Sequence, residues 1–183
     1  MKSSIVFFQF LGLIFVSVSG VLLHFAFDWS DGSFFIAPFS AVNESIWEHM
    51  KLIYISLLVY AFWESKMTKN RLENFWCIKA LGIMIGIFLI PAFYYTYTYG
   101  FGITVDWVNI ATYFVVAAII FTFETLLFIK CVFMQHSQVL PLFLLALIFI
   151  SFSIFTFFPP ELPIFKDPIT GTYGFFEKVC YKK

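Results

Sequence analysis

Five long apolar runs, separated by short polar or turn-forming stretches, set the pattern of this chain and predict five helices. The first run, Ile5 to Phe27, is unbroken and has spanning length at roughly 1.5 Å of rise per residue against a hydrocarbon core of about 30 Å. The others predict helices over about 43–64, 75–95, 107–130 and 139–158. Asn43, or Ser40 one turn earlier, suits the N-cap of the second. Asp106-Trp107 opens the fourth with an acidic first turn and an interfacial indole, and Pro141 is tolerated in the first turn of the fifth. Gly82 and Gly86 give the third a small-xxx-small face for close helix packing, and Tyr94, Tyr95, Tyr97 and Tyr99 an aromatic belt at its end.

Between the first two helices, Asp31-Gly32 turns the chain, and Ser33 to Phe39 is apolar but too short to span, so it lies in the interface or dips in and returns. After Pro159 come Pro160, Pro163 and Asp167-Pro168-Ile169-Thr170-Gly171, turn chemistry that makes residues 159–183 a tail. Lys66, Lys69 and Arg71 make the second connection the most basic short loop. By the positive-inside rule it is cytoplasmic, which puts the N-terminus inside and the C-terminus, the tail and the 28–43 segment outside. Lys2 before an apolar core, with Ser17-Val18-Ser19 behind it, also suits a secretory signal; continuation of the run to Phe27 favours a retained helix.

Composition narrows the class. The chain of 183 residues is 61% hydrophobic and 12% charged, with 28 Phe and a mean hydropathy of +0.91, too apolar for a soluble domain. The expected fold is therefore all-α, an integral membrane bundle with the lipid bilayer as its first partner. A net charge of zero and the lack of a Lys/Arg run leave no footprint for nucleic acid. Cys77, Cys131 and Cys180 have neither CxxC spacing nor an even count, so they read as small buried hydrophobes. There is no serine-nucleophile, HExxH, P-loop or dinucleotide motif.

Against this background Val42 to Leu52 stands out, because Glu44, Glu48, His49 and Lys51 fall within eight residues of a membrane helix. His24 and Asp28 end the first helix at the same membrane face, so a hairpin brings His24, Asp28, Glu44, Glu48 and His49 within reach of one another. Two histidines with carboxylates form a ligand set for zinc or another divalent metal, with open positions for water. The same residues also fit a plainer role: Glu44 complements the helix dipole, Trp47 and His49 suit an interface, and Glu48 pairs with Lys51. Lys51 lies deep enough that leaving it unpaired costs about 2.5–3.5 kcal/mol, which predicts a partner among the glutamates of its own helix, Glu48 at i−3 first. Glu124 is the other intramembrane charge, expected to bond to a neighbouring helix or to pair with Lys130. His136 reads as a solvated loop residue.

The chain resembles an uncharacterised family of small multipass membrane proteins from Gram-positive, mostly clostridial, bacteria. The residues that carry the resemblance are His24-Phe25, Asp28-Trp29-Ser30, Val42-Asn43-Glu44-Ser45, Trp47-Glu48-His49 and Lys51-Leu52; Ala41 stands where the family pattern has proline. The resemblance implies fold and a bacterial cytoplasmic membrane location, and no activity. Two functions compete. The outward cluster binds a cation, a lipid headgroup or a partner, as a homo-oligomer or part of a larger assembly. Alternatively, the protein is a metal-dependent hydrolase of a lipid or lipid-linked substrate, with Glu44 or Glu48 as base. An ion-coupled transporter is disfavoured by the odd number of spans and the lack of an inverted repeat.

Overall fold

The computed structural model describes residues 2–68, 74–130 and 138–176, which form five α-helices: α1 (Lys2–Trp29), α2 (Ile46–Met67), α3 (Phe75–Tyr95), α4 (Asp106–Lys130) and α5 (Val139–Phe157). A π-helical turn, Thr96–Gly100, extends α3, and a 3-10 turn, Pro163–Phe165, opens the tail. His136, Cys131 and Cys180 lie outside the described residues.

Helices α1 to α4 close into a ring in which α1 packs on α2 and α4, and α3 on α2 and α4, while α5 lies outside against α2 and α3. The patterning is compatible with a membrane protein. Along α1 the buried positions Ile5, Gln9, Gly12, Val16, Gly20 and Phe27 make one stripe at three-, four- and seven-residue spacing. Val6, Phe7, Phe10, Val18, Val21 and Leu22 face outward. Large apolar groups point out and small or polar groups point in, the pattern of helices that associate by close packing and hydrogen bonds. A side chain at Gly20 would collide with the Tyr113 hydroxyl, and one at Gly82 with the Glu124 carboxylate. Three tyrosines bond across helices to backbone carbonyls: Tyr54 Oη to Leu145 at 2.7 Å, Tyr113 Oη to Val16 at 3.1 Å, and Tyr60 Oη to Phe8.

Four helices are long and apolar enough to cross a membrane, namely α1, α3 with its π turn, α4 and α5. The fifth expected span, α2, falls short in composition, since it carries Glu48, His49, Lys51 and Glu64. It tolerates them by being the most enclosed element: fourteen of its 22 residues are buried. Its start also differs from the expectation at Asn43 or Ser40. Ser45 is the N-cap, its Oγ accepting from Glu48 N at 3.4 Å, while Asn43 Oδ1 accepts from Ser45 N at 3.0 Å in a turn that precedes the helix.

The half of the ring near the C-terminal end of α2 holds a charge network that the sequence did not reveal. Lys79 of α3 lies 2.7 Å from Glu64 Oε2 of α2 and 2.5 Å from Glu124 Oε2 of α4, and Gln9 of α1 donates to Glu64 Oε1 at 2.8 Å. The Lys79 ammonium also sits 5.4–5.7 Å from the ring centroids of Tyr60, Phe75, Phe121 and Phe128. Two carboxylates from neighbouring helices thus meet at a single ammonium, and Gln9 joins the network through Glu64, so that four helices each contribute one polar group. Of the two arrangements expected for Glu124, the interhelical one is formed. Its neighbours Thr122 and Thr125 instead bond back to the carbonyls of Ala118 and Phe121 at 2.7 and 2.6 Å. Glu64, which the sequence placed at a loop edge, is a core residue at 1% exposure.

Lys79→Met leaves two carboxylates buried beside an apolar chain, and the expected loss is about 3–5 kcal/mol in a denaturant titration of the detergent-purified protein. Glu124→Gln leaves Lys79 paired with Glu64, and its expected cost is less than half as large. Equal costs would show that the ammonium does not depend on its pairing.

Candidate functional site

At the opposite end of α2 the ordering of the chain begins with a second buried ion pair. Lys51 Nζ has three donors and three acceptors: Glu48 Oε2 at 2.5 Å, Thr156 Oγ1 at 2.7 Å and the Ala37 carbonyl at 2.8 Å. Thr156 in turn donates to Glu48 Oε1 at 3.0 Å, and Glu48 Oε2 also accepts from Val42 N at 3.1 Å. Lys51 and Thr156 are fully buried and Glu48 is 2% exposed. The predicted i, i+3 pair is present, and it does more than neutralise a charge. It pins the 33–42 segment through Ala37 and Val42, and α5 through Thr156. The apolar residues of that segment complete the fixation, with Phe34 stacked on Phe157 at 4.5 Å and Phe39 tilted against Phe149 at 5.7 Å.

The tail is fastened over the same end. Trp47 sits between Phe152 of α5 and Phe165 of the tail, with ring centroids 4.7 and 4.6 Å away, so it is a packing residue rather than an interfacial anchor. Trp29 and Trp107, 67% and 68% exposed, have the interfacial exposure. The turn read from Asp167 to Gly171 is formed: Asp167 Oδ1 accepts from Ile169 N at 2.8 Å, and Gly171 takes a φ of +72°.

With Glu48 turned inward and the 33–42 segment fixed, Glu44 is delivered from its pre-helical turn to the two histidines. Glu44 Oε1 lies 3.8 Å from His24 Nε2, and Oε2 lies 3.6 Å from His49 Nε2. One ligand atom from each of His24, Glu44 and His49 falls within 4.8 Å of the others, and all three residues are partly buried. The His24 and His49 ring centroids are 5.6 Å apart. His49 Nδ1 lies 2.9 Å from the Ser45 carbonyl, a contact in which Nδ1 carries the proton and donates, so that in the neutral ring Nε2 is the nitrogen with a lone pair to offer a metal. The structure therefore brings together three of the five residues grouped from the sequence. Glu48 belongs to the Lys51 pair, and Asp28, exposed at the end of α1, is not among the converging atoms.

Two cavities adjoin this trio. One of about 70 Å³ is lined by Glu44 and His49 with Tyr94, Tyr97, Asn109 and Pro168; the other, of about 260 Å³, is bounded by all three residues of the trio and by α1 and α4. Asn109, which the sequence did not single out, faces both, and its Oδ1 accepts from the Tyr97 hydroxyl.

The family model "Family of unknown function (DUF6512)" matches residues 2–175, nearly the whole chain. The chain belongs to that family. Comparison with curated proteins and with solved structures returned no match. Membership agrees with the resemblance seen in the sequence and extends over every element described above, from α1 to the tail, but it brings no activity with it.

The Glu48–Lys51 pair can be isolated by a double-mutant cycle. Glu48→Gln and Lys51→Met are each expected to cost about 3–5 kcal/mol, and the double variant to recover roughly 2 kcal/mol of their sum. Strict additivity would mean that the two charges do not stabilise each other.

Proposed function

We propose that the protein is a multipass membrane protein that binds a divalent transition metal through His24, Glu44 and His49. The observation that carries this reading is the spacing of the ligand atoms. Four ligands around zinc at about 2.1 Å lie about 3.4 Å from one another; here Glu44 Oε1 lies 3.8 Å from His24 Nε2 and Oε2 lies 3.6 Å from His49 Nε2, and one ligand atom of each residue falls within 4.8 Å of the others, so that small side-chain rotations close the set around an ion. Two histidines and one carboxylate form the ligand set of open zinc and related metal sites, in which a further coordination position is left for water or ligand. The carbonyl of Ser45 behind His49 supplies the outer hydrogen bond that orients such a ligand.

Binding fits this geometry better than hydrolysis. A hydrolase needs a base beside the metal-bound water in addition to the ligands. Glu44 is a ligand in this arrangement, and Glu48 is held by Lys51, Thr156 and Val42.

We further infer that α2 crosses the membrane as a fifth span. It lies between two helices of spanning length, and Glu48, Lys51 and Glu64 each have an ion-pair partner inside the bundle. With the basic second connection inside, the N-terminus is cytoplasmic and the metal site faces out of the cell membrane.

Metal analysis of the detergent-purified protein is expected to give close to one zinc per chain, falling to about a tenth or less in His24→Ala, Glu44→Gln and His49→Ala and unchanged in Asp28→Asn. Equal metal in all four variants would overturn the assignment. For the orientation, a membrane-impermeant thiol reagent added to intact cells of a variant whose native cysteines have been removed should label Asp31→Cys and spare Lys66→Cys. The reverse pattern would move the site to the cytoplasm.

A further inference from the structure

The larger cavity beside the trio has two unlike walls. At one end are His24, Glu44, His49 and Asn109; along the side are Val21 of α1 and Ile110 and Phe114 of α4. Those three apolar side chains line the cavity and are also exposed on the outside of the bundle, at 42%, 56% and 37%. In a bundle whose outward apolar surface meets hydrocarbon, a cavity sharing its lining with that surface opens sideways, between α1 and α4, into the lipid. At its polar end the His24, Glu44 and His49 side chains are 27%, 37% and 23% exposed, and Ile169 of the tail lies on the cavity wall.

The charge balance at the polar end fixes the sign of what it takes. A divalent ion held by one carboxylate and two neutral imidazoles leaves the site with one positive charge, and no other carboxylate lines the cavity among the described residues. A coordinating oxyanion neutralises that charge. Asn109, whose carbonyl oxygen is engaged by Tyr97, has its amide N–H groups to offer to the same anion.

We propose that this cavity binds an anionic single-chain or double-chain lipid, its oxyanion headgroup on the metal and Asn109 and its acyl chain leaving between α1 and α4 past Val21, Ile110 and Phe114. This rests on the metal reading above and adds the class of ligand. A soluble phosphate would use the polar end alone and be indifferent to the side opening, whereas a lipid needs both.

The test uses 1-oleoyl lysophosphatidate as probe, titrated into the zinc-loaded, detergent-purified full chain and followed by native mass spectrometry, with zinc content measured in parallel. Ile110→Trp, at an exposed position, narrows the opening without touching a ligand; Val21→Trp on the facing helix serves as an independent second variant. Expected are retained zinc and probe binding weakened about tenfold or more in both tryptophan variants, loss of zinc and probe together in His49→Ala, and no competition from inorganic phosphate at about a hundredfold excess. Probe affinity unchanged in both tryptophan variants, or displacement by phosphate at equal concentration, would overturn the lipid assignment while leaving the metal site standing. Probe binding that survives removal of zinc would overturn the placement of the headgroup. Absence of zinc from the wild-type protein would overturn the metal reading and this proposal with it.

Discussion

The burial of Lys51 is the constraint on which the half of this protein around the N-terminal end of α2 depends. An ammonium at 0% exposure inside an apolar bundle has to find an acceptor for each of its three N–H groups. It finds them on three separate pieces of the chain: Glu48 one turn back on α2, the carbonyl of Ala37 in the segment between α1 and α2, and the hydroxyl of Thr156 near the end of α5. Satisfying one charge therefore docks a loop and a helix that otherwise share little polar contact with α2. Glu48, recruited as the counterion, captures Val42 N as well and so sets the path by which the chain enters the helix. Removing either charge would leave the other buried and unpaired, which is far costlier than replacing both.

The half around the C-terminal end of α2 obeys the same rule with a different centre. Lys79 gathers Glu64, Glu124 and, through Glu64, Gln9, so that α1, α2, α3 and α4 are each tied to it. These helices are held together by buried polar groups that have nowhere else to be satisfied and by backbones brought close at glycines such as Gly20 and Gly82, the means by which apolar helices associate where a hydrophobic drive is lacking. Two lysine-centred nodes, one at each end of α2, explain why the least apolar helix is the most enclosed one.

The candidate site is a product of the Lys51 node. Because Glu48 is consumed by Lys51, the acidic residue left to meet the histidines is Glu44, which lies before the helix in a turn fixed by Asn43 and Ser45. That turn places a carboxylate between an imidazole from the end of α1 and one from the first turns of α2. The tail, held by Trp47 against Phe165, brings Ile169 to the wall of the cavity that remains, which α1 and α4 also line. The charges of the fold and those of the candidate site sit within one short stretch of sequence and part company: Glu48 and Lys51 turn inward to hold the fold, Glu44 and His49 line the cavity.

Local rules carried the sequence reading as far as they reach. Continuous apolar runs long enough to span predict the helices and the membrane class, because hydrocarbon thickness and helical rise fix the length required. The Glu48–Lys51 pair follows from i, i+3 spacing on one helix, the Asp167 turn from its residue types, and the nearness of His24 to Glu44 and His49 from their places at the two ends of a hairpin. What only the tertiary structure decided is which of several possible partners each charge takes. Glu48 and Glu44 are four residues apart, and nothing local tells one to turn in and the other to face the histidines; Thr156, more than a hundred residues away, and the carbonyl of Ala37 decide it. Likewise Gln9, Glu64, Lys79 and Glu124 share no motif and no helix. They meet because the ring order of α1 to α4 puts their faces together, and a contact fixed by helix order leaves no periodic trace in the sequence of any one helix.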